Sequence, residues 1–396
     1  MRVLVFAARS LLRQPGRSGL GILGIAAVGA LLFDMLLLSR GLVVSFRDLL
    51  DSIGFDVRVA ATDSPLPGGV RLEHASEVAA RIAALPEVRE AIPMRTATGE
   101  LIRANGVSTG VGLTGMDPAD TRPWTIVMGR DLDLDTTPPA LVVNQPLMDF
   151  VGGAPGTAVS MRVACSANRA APVAQPFTLV GVAQFPFDDE GQMTAVMSRR
   201  AMRAACGDDS DDADMLMVAS SGGAAAAVAA IRAAQPDVVP VTNEQIVARV
   251  QTQGFTYFRQ ISTVLSTITL LFGFLLITVL LTVSVNQRLA EIAALRALGF
   301  SAWRAAADVF AQGAMLVAIG GALALPLGYA LSLWLDRILK AMPGIPTAMH
   351  FFVFEPRALV THAALLVATA VLASAYPMWL VARLPIATTL RNEVVG

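Results

Sequence analysis

The stretch that most constrains this chain runs from Ile261 to Ala307. Ile261–Val285 is apolar throughout, interrupted only by Ser, Thr and Gly. At about 1.5 Å per helical residue, roughly 20 residues cross the hydrocarbon core of a bilayer, so this run can span it with some tilt. Residues 286–300 follow directly. There Leu289, Ile292 and Leu295 or Leu298 recur at helical spacing, with Glu291 and Arg296 off the stripe, which predicts a short amphipathic helix. Gly299 suits its end. The chain then turns into another apolar run. A polar-faced helix clamped between two spans is a handle by which something outside the membrane can move both.

Three further runs complete the membrane pattern. Ser18–Ser39 forms the first span, and the last two are 307–334 and 359–382. Gly21, Gly24 and Gly29 in the first, and Gly313, Gly320, Gly321 and Gly328 in the third, allow close helix approach, and Pro326 predicts a kink. A cleaved signal peptide is the competing reading of the first run, disfavoured by its length and by the lack of an A-x-A site. Residues 1–17 carry four arginines among apolar residues and read as an interfacial amphipathic helix. Asp34 lies late in the first span, where a carboxylate is costly. It faces either a partner helix or water inside, or headgroups at the outer interface.

Charge sets the topology. The chain is 54% hydrophobic and 15% charged, against roughly 25% charged in soluble domains. Residues 41–258 hold 25 acidic and 16 basic residues, net −9, and the remainder holds 6 and 14, net +8, matching the total of −1. Basic residues cluster at the span ends, which places both termini and residues 286–300 in the cytoplasm, and the 41–258 insert and the 335–358 loop outside. Nothing in this pattern suggests nucleic-acid binding. Lys340 is the only lysine, and no glycines precede it at P-loop spacing, so this chain carries no ATPase site of its own.

Within the insert, residues 79–88 and 227–238 echo one another, each a helix stopped by proline and followed by an extended segment. They predict an edge α+β lobe, about 55–114 and 215–245, that the chain leaves and re-enters. Between them, about 115–210, lies an inner β-rich lobe with strands at 141–143, 158–163 and 177–182.

Candidate chemistry is sparse. Cys165 and Cys206 are the only cysteines and both lie in the insert, so outside the cytoplasm a disulfide is favoured over two free thiols. Gly106–Gly110 matches G-x-S-x-G, but no helix start follows and a turn is the better reading. The acidic run 208–214 lacks the glycine and glutamate of an EF-hand loop and reads as a solvated loop. His350 and His362 are isolated, and neither a catalytic set nor a metal site is expected.

Residues 291–301, Glu-Ile-Ala-Ala-Leu-Arg-Ala-Leu-Gly-Phe-Ser, resemble the E-I-G-x-L-R-A-x-G-A-S signature after the second span of MacB/FtsX-type (type VII) ABC transporter permeases. Arg383-Leu-Pro-Ile-Ala-Thr-Thr-Leu-Arg391 resembles their C-terminal R-x-x-P-x-E-A-L-R, with Thr388 at the acidic position. Phe177–Val182 resembles the family's f-x-V-v-G-V strand. The resemblance implies an α-helical membrane protein with four transmembrane helices and a large two-lobed α+β extracytoplasmic domain between the first and second. It also implies a permease subunit without a fused ATPase domain, in a bacterial cytoplasmic (inner) membrane. By the same resemblance Glu291, Ile292, Leu295, Arg296 and Gly299 enter a groove of a separate ATPase subunit, which binds the ATP and Mg, with Pro385, Leu390 and Arg391 nearby. The chain itself needs no cofactor. A second permease subunit, membrane lipids and a periplasmic adaptor are the other implied partners. Export or extraction of a lipid, lipoprotein, peptide or hydrophobic compound is the expected task. The alternative is an FtsX-like mechanotransmitting scaffold that regulates an outside partner without transport.

Overall fold

The computed structural model describes residues 9, 11–13, 15–63, 69–103, 105–165, 173–207, 210–253, 256–287, 289–298 and 301–383. The first elements with described bounds are α1 (Pro15–Ser52), β1 (Val57–Ala60), α2 (Ala75–Ala83), β2 (Val88–Ile102), β3 (Ser108–Met116) and β4 (Thr125–Gly129). Next come β5 (Ala140–Val143), α3 (Gln145–Val151), β6 (Ala158–Ala164), β7 (Gln175–Gln184), β8 (Thr194–Met197) and α4 (Arg199–Cys206). The insert ends with β9 (Met215–Ser220), α5 (Ala224–Ala234), β10 (Val239–Thr242) and α6 (Asn243–Gln253). The last elements are α7 (Thr256–Asn286), α8 (Leu289–Ala297), α9 (Ala302–Lys340) and α10 (Pro356–Ala382).

Two compact units result. One comprises Met1–Leu42, Phe255–Ile338 and Phe351–Gly396, and the other Val43–Gly254 with Leu339–His350. In the first, α1, α7, α9 and α10 are each long and apolar enough to cross a membrane. All four contribute to one core: Ile25, Ile277, Leu281, Leu316, Val317, Ala370 and Ala373. Bare backbone lets α9 approach α1. A Cβ on Gly320 would stand 2.7 Å from the Ile25 side chain, and one on Gly328 would stand 2.9 Å from the Ala30 oxygen. Van der Waals contact at that distance is available only to glycine.

The helices outrun the spans expected from hydropathy. Where residues 18–39 were expected, α1 continues to Ser52, because Gly41 does not break it and Val43, Phe46 and Leu50 keep a helical apolar stripe. Those three pack with Val241, Ile246 and Val247. Likewise α9 extends over 302–340 rather than 307–334, which shortens the connecting loop. Residues 1–8, 10 and 14 of the expected interfacial helix lie outside the described residues.

Among the described residues, the insert is a ten-stranded sheet with one closed part. Pairing runs β10-β1-β9-β2-β3-β8-β5-β7-β4, and β6 joins β2 to β7. Strands β2, β3, β8, β5, β7 and β6 therefore form a ring that returns to β2. Closure removes free edges from that part. Alternation fills it: β6 is exposed and buried by turns, sending Val159, Met161 and Val163 inward to Leu101, Leu113, Leu141 and Phe177. On the open part, β1 and β9 send Val57, Val59, Leu216 and Val218 to a face covered by α2 and α5. Met215, Met217 and Ala219 point to the other face, with Phe55 and Trp124.

The echoed segments are thus the two covering helices, and the expected strands at 141–143, 158–163 and 177–182 coincide with β5, β6 and β7. The lobe division differs from the expected 114/115. It falls inside β2, whose first residues pair with β9 and whose last pair with β6. A 15-residue strand can serve both lobes, whereas hydropathy alone registers only one continuous extended segment. The loop after α9 docks within this second unit. Thr347 donates its amide to the Asp188 oxygen at 2.8 Å, and Asp189 pairs with Pro346 as an isolated bridge.

Candidate functional site

Helix α8 sits between the end of α7 and the start of α9, the position expected of the handle. Ala293 is fully buried, and Leu289 and Ile292 pack on Val285, Val309 and Val381. Arg296 donates from Nη1 to the Val381 oxygen at 3.2 Å. Leu298 is 80% exposed, and Trp303, at the start of α9, is 73% exposed. The seat is thus built from the ends of α7, α9 and α10.

This corrects the stripe read from sequence. Leu298 was placed with Leu289 and Ile292, but nine positions from Leu289 is a half-turn out of phase at 3.6 residues per turn, so it faces away. Arg296, expected off the stripe, joins it: seven residues is nearly two full turns from Leu289. Ile292 and Arg296 therefore hold α8 to the bundle. Glu291 and Leu295 are helical positions of α8, and Gly299, Pro385, Leu390 and Arg391 lie outside the described residues. Trp303 was missed because it lies in the first turn of α9, beyond the periodic segment. Arg383, at the start of the C-terminal motif, lies 5.0 Å over the Trp379 ring.

Asp34 is completely buried, and neither carboxylate oxygen has a hydrogen-bond partner among the described residues. It thus faces the bundle interior, not headgroups. His362 of α10 is also buried, with both ring nitrogens unpartnered among the described residues, and its ring meets Phe33 edge-on at 5.3 Å.

In the insert, Cys165 and Cys206 form a disulfide with Cα atoms 5.7 Å apart, against the ring core. Gly106 occupies a left-handed turn between β2 and β3, closed by the Gly106 amide donating to Arg103, so the G-x-S-x-G match is a hairpin. The acidic run is not simply solvated. Buried Arg95 pairs with Asp212 at 2.7 Å, and Arg71 reaches Asp212 at 3.0 Å and Asp214 at 3.4 Å. Arg199 pairs with Asp211 at 2.8 Å. Partial burial pushes the Asp211 carboxyl up, but hydrogen bonds from Ser76 and Arg199 outweigh it and hold it below the ordinary value. The sequence shows the carboxylates adjacent; only the fold brings arginines from residues 71, 95 and 199 to them. Asp208 and Asp209 lie outside the described residues.

Comparison with known proteins bears on the same segment. Residues 263–386 match the family model described as FtsX-like permease C-terminal, which takes in α8 with its seat. Among solved structures, the periplasmic region of MacB from Actinobacillus actinomycetemcomitans is 14% identical, with 52% of this chain and 98% of that one covered and a TM-score of 0.39. The extracellular domain of the noncanonic ABC-type transporter YknZ from Gram-positive bacteria is 13% identical, with 48% and 99% covered and a TM-score of 0.34. No curated protein matches the chain. Residues 263–386, most of α7 through α10, thus match the FtsX-like permease C-terminal family, in a chain with four described helices long and apolar enough to cross a membrane.

Proposed function

We propose that this permease subunit carries ATP-driven motion from a separate cytoplasmic ATPase to its extracytoplasmic insert, for export or extraction of a lipid, lipoprotein, peptide or hydrophobic compound. ATP and Mg belong to the ATPase. In this reading the chain resides in a bacterial inner membrane with both termini cytoplasmic, works beside a second permease subunit, and hands cargo to a periplasmic adaptor.

The observation that supports it is the two-faced seating of α8. One face, Leu289, Ile292, Ala293 and Arg296, is held by three long helices. Ala294 and Leu298 are exposed on the opposite face, and Glu291 and Leu295 are proposed to join them in the contact. A push on that face is borne by α7, α9 and α10 together, because the packed core between them does not yield continuously. Residues 299, 385, 390 and 391 are proposed to complete the contact.

The test is co-purification from detergent-solubilised membranes. An ATPase subunit should accompany the wild type and be lost from Glu291→Lys/Leu298→Asp, with the variant's thermal melt unchanged. Equal recovery of the ATPase from both would return α8 to a plain surface connector.

A further inference from the structure

Residues 341–355 join α9 to α10, a longer connection than the roughly two to eight residues that usually join neighbouring helices. The stretch Leu339–His350 belongs to the compact unit of the insert and not to that of the spans. We propose that this connection is a strap that couples the helix ends it joins to the closed ring of the insert, with Asp188 as its joint. It acts apart from the chain connections through α1 and α6. The coupling does not depend on an ATPase, whereas its being driven by ATP rests on the reading above.

The strap is fastened at three points. Thr347 donates its amide to the Asp188 main-chain oxygen at 2.8 Å and its hydroxyl to the same oxygen at 3.2 Å. The Gly344 amide donates to Asp189 Oδ2 at 2.5 Å, from a turn whose φ of 84° suits glycine. Further on, Met349 is buried and the His350 amide donates at 2.7 Å to Oγ of buried Ser45 on α1. Two turns take up the slack: the Met342 amide bonds the Leu339 oxygen, and the Met349 amide bonds the Pro346 oxygen. A helix end that shifts must open those turns or carry the β7–β8 connection (185–193) with it.

Asp188 passes the pull inward. Its carboxylate accepts from Thr194 Oγ1 of β8 at 2.8 Å and from Asn144 Nδ2 at 2.7 Å. Asn144, directly after β5, caps α3 by accepting the Leu147 amide on Oδ1 at 3.2 Å. The same oxygen accepts the Thr194 amide at 3.2 Å. Strands β5 and β8 pair within the ring. A partly buried carboxylate is costly without hydrogen bonds, so these contacts resist being broken one at a time. One residue thus ties the main chain of the strap to β5, α3 and β8 through a contiguous path of hydrogen bonds.

Bilayer thickness supplies a push that needs no ATPase, because spans change their tilt when the hydrocarbon core thins. The full chain is placed in nanodiscs of dilauroyl- or dioleoyl-phosphatidylcholine, and amide exchange is followed by mass spectrometry. Between the two lipids the wild type should differ roughly threefold at 185–197 and 145–151. The difference should vanish when flexible Gly-Ser linkers of about six residues are inserted between Met342 and Pro343 and between His350 and Phe351. These leave every fastening in place, so the melt and the exchange at 344–349 should match the wild type. Asp189→Ala/Thr347→Val, which loosens the fastening itself, should lose the difference as well. In both variants residues 239–247, packed on α1, should still respond to the lipid. A wild type without the difference at 185–197, or linkers that leave it intact, would overturn the proposal. Loss of the response at 239–247 together with that at 185–197 would do the same. Failure here leaves the ATPase co-purification result standing, and the reverse holds.

Discussion

Arg296 Nη1 donates to the main-chain oxygen of Val381 across 3.2 Å, tying α8 to the last turn of α10. Last-turn carbonyls lack intrahelical donors, and a cation at a helix C-terminus is favourable. A hydrogen bond from a charged donor contributes about 1.5 kcal/mol or more. Arg296→Ala should therefore raise amide exchange across 289–297 roughly tenfold while leaving exchange in the insert unchanged. Hydrogen exchange with mass spectrometry checks this.

The two faces of α8 should separate in stability. Ile292→Asp places a charge against Val285, Val309 and Val381 and should cost more than about 2 kcal/mol. Leu298→Asp, on the exposed face, should fall within about 0.5 kcal/mol of wild type. Melting in detergent distinguishes them, and equal effects would mean that α8 does not keep one face on the bundle.

Asp34 is a buried carboxylate without a hydrogen-bond partner among the described residues. Such a group destabilises its surroundings, so Asp34→Asn or Asp34→Leu should raise the apparent Tm by a few degrees. Should transport activity fall in the same variants, the cost is retained for function.

The Cys165–Cys206 bridge closes a span of 41 residues. In the chain-entropy model that stabilises the ring by about 4 kcal/mol. Cys165→Ser/Cys206→Ser, or reduction, should lower the insert's unfolding midpoint markedly and leave the membrane helices intact. Limited proteolysis of the two regions reads both effects.

Asp211 is held below its ordinary value of 3.8 in the folded chain. A depressed carboxylate contributes stability that is present above the unfolded pKa and lost as pH falls through the folded one. Asp211→Asn should thus destabilise modestly, below about 1 kcal/mol given its exposure, from pH 5 to 8, and the difference should shrink only as pH falls below the ordinary value and through the lower folded one. Paired melts across pH measure it.

The four spans were legible because apolar length is a one-dimensional property: a bilayer tests each segment on its own. So were α2, α5, β5, β6 and β7, whose periodicity or proline punctuation is local. Less legible were the ends of α1 and α9, since Val43, Phe46 and Leu50 continue a helix only because Val241 and Ile246 are there to cover them.

By itself, the sequence determined the membrane class, the place of α8 between two spans, and the presence of two cysteines in one insert, whose pairing it favoured. Tertiary structure decided which face of α8 is seated, with Arg296 inward and Leu298 out. It also decided that β2 serves both the open sheet and the closed ring, and that Asp211, Asp212 and Asp214 meet arginines far away in the chain. Local propensity and hydropathy act within a few residues, whereas register, burial and ion pairing depend on what the rest of the chain brings alongside.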